Sequence, residues 1–167
     1  MLKRLLVMTA FACLLVTTAR ADDGEALISF KVMTPETALE AAQAALGDCR
    51  KRGFQVAVAV LDRFGVTQVI LRDRFAGPHT PETARRKAWT AVSFRTDTNA
   101  MVDVTNAGTP QSGVRHVPQA LMIGGGVQVQ AVGALVGAIG VSGAPSGEMD
   151  DACAKAGIAA IEDKLAF

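Results

Sequence analysis

The residues best placed by type and spacing to do chemistry gather at Gly77-Pro78-His79-Thr80 and, within the next two helical turns, at Arg85-Arg86-Lys87. His79 directly precedes Thr80-Pro81-Glu82-Thr83, a tetrapeptide that reads as a helix start, and the free amides of such a start favour an anion. An imidazole there can ligate a metal or pass a proton, while Arg86 and Lys87 could hold a carboxylate. Residue type alone favours a plainer reading, a solvated loop histidine beside a basic helix face. His116, next to Arg115, is the second candidate and has the same two readings. Met101 and Met122 could ligate a soft metal or haem iron, although a methionine in an apolar run more often fills a core.

Several chemistries are excluded. The chain has no GxSxG and no HExxH, and its two histidines are far apart in sequence. No carboxylate is placed to orient a base for a catalytic triad. Gly124-Gly125-Gly126 is not a phosphate loop, since neither a Lys-Ser/Thr pair nor a helix follows it. No residue is nominated as catalytic, and the chain reads more as a binder than as an enzyme. A net charge of +1, one tryptophan and no tyrosine leave neither a basic footprint nor stacking platforms for nucleic acid.

The elements that must position these residues follow from caps and periodicity. Thr34-Pro35-Glu36-Thr37 opens a first helix whose inward stripe is Leu39, Ala42, Leu46 and Cys49, closed by Arg50-Lys51-Arg52 and Gly53. Phe54–Leu61 and Val66–Asp73 read as a strand pair turned at Asp62-Arg63-Phe64-Gly65. The second helix runs on from Thr80 through Ala84–Phe94. Thr96–Pro118 is irregular, with a helical turn expected at Ala100–Val104. Leu121–Ile123, Val127–Val132 and Leu135–Val141 read as three further strands, and Glu148–Leu165 as a last helix with Met149, Cys153, Ala156 and Ala160 facing inward. This order suits an antiparallel sheet with the terminal helices packed together on one face.

The N-terminus reads as an export signal. Lys3 and Arg4 precede the apolar run Leu5–Val16, and Ala19-Arg20-Ala21 offers small residues for cleavage ahead of Asp22. The run is too short to span a bilayer, which needs about 20 apolar residues. The expected organisation is therefore a signal at 1–21, a lead-in at 22–33 and one domain at 34–167, with no membrane span after cleavage and a periplasmic or secreted address. Cys13 leaves with the signal. Cys49 and Cys153 remain, and in an oxidising compartment they invite a disulfide, which the proposed packing of the terminal helices allows. A buried free pair and a metal site are the alternatives.

The motifs together resemble the GlcG/HbpS family of haem-binding proteins, related to the C-terminal domain of PduO-type proteins. The resemblance covers about Thr34 to Ile161. It is carried by Val58–Asp62 with Gly65, Gly77-Pro78-His79-Thr80, Arg86-Lys87-Ala88-Trp89-Thr90-Ala91, Gly124–Val127, Gly133–Gly143, Asp150 and Ala156-Gly157. It implies a mixed α/β (α+β) fold, a profilin-like α/β/α sandwich around a five-stranded antiparallel sheet. It also implies a homo-oligomer and haem as the bound cofactor, with His79 the first and His116 the second candidate iron ligand. Arg86 and Lys87 would then pair with the propionates. The low aromatic content points to a shallow or inter-subunit haem site. Two other functions stay open: an enzyme or binder for a small organic acid using the same residues, and an accessory structural subunit.

Overall fold

Helix α1, Pro35–Lys51, starts where its cap chemistry puts it: the Thr37 amide donates to the Thr34 hydroxyl, and Pro35 takes the first helical position. The structure is a computed structural model that describes residues 26–166, so the proposed signal at 1–21 lies outside the described residues. Residues 26–30 carry no helix or strand, and the compact unit that holds the described helices and strands runs from Lys31. Of the expected stripe on α1, Ala42, Leu46 and Cys49 are buried. Leu39 is 39% exposed, and its place inside is taken by Ala38, Ala41 and Ala45.

Strands β1 (Ala57–Asp62) and β2 (Thr67–Arg72) form the expected antiparallel hairpin. The Asp62 carboxylate accepts from the amides of Phe64 and Val66, and Gly65 supplies the positive φ that the turn needs. Strands β3 (Gly126–Ala131) and β4 (Ala134–Ser142) form a second hairpin, and the sheet order is β2-β1-β4-β3 with every pair antiparallel.

The described sheet therefore has four strands, not five. Leu121–Ile123, expected as a strand, is irregular: the Leu121 amide donates to the Thr90 hydroxyl and the Ile123 amide to the Leu121 carbonyl, so no ladder partner is needed. The outer edge of β3 is shielded from the other side. Helix α3 (Thr98–Val104) brings Thr98 and Asp97 to accept from the amides of Gly126 and Gln128.

Side chains alternate across β1. Val58 and Val60 join α1 and α4 (Gly147–Ala159) on one face, while Ala57, Ala59 and Leu61 join Ala84, Ala88 and Ala91 of α2 (Thr80–Phe94) on the other. The α2 backbone lies so close to β4 that a Cβ on Gly140 would sit 2.0 Å from the Ala84 carbonyl oxygen. On the opposite face a Cβ on Gly157 would sit 2.6 Å from the Ala41 carbonyl oxygen. Small residues on both helices let α1 and α4 close up, and Cys49 and Cys153 are joined in the expected disulfide with Cα atoms 5.5 Å apart. The buried residues of α4 are Asp150, Asp151, Cys153, Ala154 and Gly157; of the expected inward set Cys153 is buried, Ala156 is half-buried, Ala160 is exposed, and Met149 is 42% exposed. The last helix breaks after Ala159, and Glu162–Leu165 makes a separate turn, α5. No helix among the described residues is long and apolar enough to cross a membrane.

Candidate functional site

Identical tetrapeptides start α1 and α2, yet they are capped differently. Thr34 caps α1 from outside the helix. In α2 the first helical residue is already Thr80, His79 occupies the cap position, and no side chain caps the helix. The difference lies in the preceding loop. Both the amide and the hydroxyl of Thr80 donate to the Gly77 carbonyl, at 3.0 and 2.7 Å, which winds the chain one residue early. The hydroxyl is thereby spent on the loop, and the imidazole of His79 is exposed without a hydrogen-bond partner among the described residues. Gly77 makes room for that ring: a Cβ there would lie 2.7 Å from His79 Cε1.

The imidazole borders a cleft of about 720 Å³ between the start of α2, the end of β4 and the start of α4. This volume lies within the roughly 300–1,000 Å³ usual for small-molecule sites. Phe54, Phe75, Ile123 and Pro145 give the walls apolar surface, and Ser146-Gly147 brings the first turn of α4 to the rim. The loop beneath Phe75 is held by Arg50, which grips the Asp73 carboxylate through Nε and Nη2 at 2.8 and 2.9 Å, and by Arg72, which donates to the Ala76 carbonyl. The Arg50 guanidinium holds the Asp73 carboxyl below its ordinary 3.8. A carboxylate with a lowered native pKa contributes stability above its unfolded pKa and loses it as the pH falls through the native value. The margin of wild type over Asp73→Asn should therefore be present at neutral pH and shrink below pH 3.8, which urea midpoints of the two proteins at both pH values will measure.

At the cleft floor lies Lys87, only 2% exposed. Its ammonium donates to Asp150 at 2.7 Å and to the Val141 carbonyl at 3.0 Å. The second Asp150 oxygen accepts from the Ala144 amide. Burial pushes the Asp150 carboxyl up, against the pull of Lys87 and of the Ala144 and Gly143 amides. Gly125, at φ +110, lets the chain cross this pair, since a Cβ there would lie 2.6 Å from the Asp150 Cβ and 3.1 Å from the Lys87 Nζ. The glycine run at 124–126 thus makes a close crossing over a buried ion pair.

The predicted site residues separate accordingly. His79 and Lys87 both border the cleft, with the Lys87 ammonium engaged inside the protein. Arg86 faces elsewhere and donates to the carbonyls of Gln119 and Ala120, pinning the chain ahead of Leu121. His116 ends an exposed 3-10 turn, Ser112–His116, and is not among the cleft residues. Met101 and Met122 pack in a small apolar cluster with Ala120. At Gly140 and Gly137 the close neighbours come from the chain itself, α2 at the first and Leu61 and Met33 at the second. Sequence reading passed over Phe54, Phe75 and Ser146 as cleft residues. Ser146, with acidic Glu148 and Asp150 behind it, carried a recognisable helix-start signal; the two phenylalanines carried none.

A chemistry follows from this arrangement. An open imidazole can ligate a transition metal or exchange a proton, above a floor whose own charges are already neutralised. The sequence profile of the family described as haem degrading protein HbpS-like matches residues 33–159. The chain belongs to the HbpS-like family. The crystal structure of a double mutant of Streptomyces reticuli HbpS matches this HbpS-like chain with a TM-score of 0.76 and 41% identity, over 83% of this chain and 93% of that one. A crystal structure of a PduOC:heme complex matches at 0.74 and 31%, over 78% and 96%. The corrinoid adenosyltransferase PduO of Salmonella typhimurium is 34% identical over 121 residues, which is 71% of this chain. The HbpS-like chain spans only 36% of that relative's length.

Proposed function

We propose that this HbpS-like chain is an exported haem-binding protein for haem capture, buffering or sensing, with His79 as the iron ligand. The observation that carries the reading is the exposed His79 imidazole, without a hydrogen-bond partner among the described residues, in a cleft where Gly77 clears space beside the ring. The residues present fit the group. Phe54, Phe75, Ile123 and Pro145 offer apolar surface to a flat macrocycle. The Gly147 and Glu148 amides at the start of α4 suit the propionates, whereas in α2 Pro81 has no N–H and the Thr80 and Thr83 amides already donate to the Gly77 and His79 carbonyls. Arg86 and Lys87, expected in that role, already serve the 119–120 carbonyls and Asp150. When bound, haem supplies an iron centre that exchanges single electrons. The solved complex of PduOC with heme supports the choice of cofactor.

Export rests on Lys3-Arg4, the apolar run Leu5–Val16 and Ala19-Arg20-Ala21. It assigns the protein to the periplasm or the medium. A second copy in a homo-oligomer would close the open side of the cleft. The small-acid alternative needs Arg86 and Lys87 as anchors, and both are engaged within the fold.

Haemin titration of the exported, processed protein, whose mass should begin at Asp22, tests the reading. A saturable Soret shift is expected. Affinity should fall at least tenfold in His79→Ala, on the order of 1.4 kcal/mol, and stay unchanged in His116→Ala. Binding no better than that of an unrelated protein, or equal binding by His79→Ala, overturns it.

A further inference from the structure

A second concavity lies at the other end of α2. It measures about 260 Å³ and is lined by Arg63, Phe64, Gly65, Trp89, Val92, Ser93, Arg95 and Leu135. Arg63 and Arg95 border it, and no acidic side chain among the described residues does. The hairpin turn closes down on the indole here: a Cβ on Gly65 would be 3.2 Å from Trp89 Cδ1. Arg63 lies over the Phe64 ring at 5.7 Å, which keeps its guanidinium on the turn at the rim of the pocket.

Arg95 is the unusual member. It ends α2 in the left-handed conformation, φ 50 and ψ 43, with its amide on the Ala91 carbonyl. Glycine is the ordinary occupant of such a helix end, because it takes a positive φ without steric cost. Arginine here holds a backbone conformation that glycine would take without cost. Its side chain makes no ion pair or hydrogen bond among the described residues, so the fold does not explain it. A strained non-glycine residue bordering a concavity is a reason to look for a ligand.

We infer that this pocket binds a small organic carboxylate with an apolar body. Arg95 faces the carboxylate as the charge-assisted donor, Arg63 adds positive charge at the rim, and Ser93 adds a hydroxyl. Trp89, Val92 and Leu135 take the apolar part. The volume limits the ligand to fragment size. The pocket is independent of the His79 cleft and of any haem bound there, since the two share no lining residue.

Trp89 is the single tryptophan of the chain and lines the pocket, so its emission is a built-in reporter. Cyclohexanecarboxylate is added to the full mature protein at constant ionic strength, with cyclohexylmethanol as the uncharged control. A saturable change in Trp89 emission is expected with the carboxylate and none with the alcohol. Arg95→Gly should weaken the carboxylate at least tenfold while keeping or raising the melting temperature, because glycine suits the left-handed position. Arg63→Gln should weaken it by a smaller factor, without moving haemin affinity. The inference fails if the carboxylate gives no saturable change, if the alcohol does as well, or if Arg95→Gly binds like wild type.

Discussion

Replacing Cys49 and Cys153 together with alanine is expected to lower the unfolding free energy by about 4 kcal/mol. The bridge joins residues 104 apart in sequence, so it restrains most of the folded unit. Chain-entropy arguments give roughly 4.7 kcal/mol for a loop of about 100 residues, and removal of native bridges typically costs about 2–5. Packing adds little to this figure. Both cysteines are fully buried, but each loses only one sulfur on going to alanine, a smaller deletion than the leucine- or isoleucine-to-alanine changes that leave costly cavities. For a domain of this size the melting temperature should drop on the order of 10 °C. Urea unfolding without reductant compares wild type with the double variant, and reduced wild type should fall on the variant's curve. A difference under about 1 kcal/mol would mean that the unfolded chain gains almost no freedom when the bridge is absent.

The bridge also shows why parts of this fold were legible in the sequence. Cys49 falls on the apolar stripe of a capped helix, and Cys153 on an inward position of α4, so packing the terminal helices together was enough to unite them. The hairpin at Asp62–Gly65 was legible for a similar reason, since an Asx turn and a positive-φ glycine sit between two valine-rich runs. Helix faces built from alanine were not. In α1 almost any stripe contains alanines, so periodicity could not separate Leu39, which is exposed, from Ala38, which is buried. The irregular stretch ahead of β3 was misread because Thr90 satisfies the Leu121 amide from a different helix, a contact with no local signature.

Lys87 was the most informative misreading. In the run Arg85-Arg86-Lys87 it looks like one more charge on a solvated face. Helical geometry says otherwise: Lys87 lies three residues after Ala84 and four before Ala91, on the stripe that packs against the sheet. Asp150, on the inward face of α4, is the charge that makes burial of this lysine tolerable. Neither residue announces the other, because they are 63 positions apart and meet only once the sheet places α2 and the start of α4 side by side. His79, by contrast, lies at the helix start where the sequence puts it, although much of its cleft comes from segments distant in sequence, at 53–55, 123 and 142–147.

Breaking that ion pair from one side should be as costly as losing the disulfide. Lys87→Met leaves Asp150 as a buried carboxylate with only amide donors, and Asp150→Leu leaves a buried ammonium with one carbonyl; each is expected to cost about 3–5 kcal/mol. Removing both charges in Lys87→Met/Asp150→Leu should cost less than either single change, because no uncompensated charge remains in the interior. The pH dependence separates this mechanism from simple loss of packing. Burial already raises the Asp150 carboxyl, and removing Lys87 takes away the attraction that opposes the rise. A carboxyl with a raised native pKa favours the folded state at acid pH, and that advantage is lost as the pH climbs through the native value. Lys87→Met should thus be least handicapped near pH 4 and most handicapped at pH 8. Urea unfolding of all four proteins across that range gives both the coupling energy and its pH profile. If the double variant costs as much as the two single changes added together, the pair is not coupled, and the crossing of Gly125 over it must be held by packing alone.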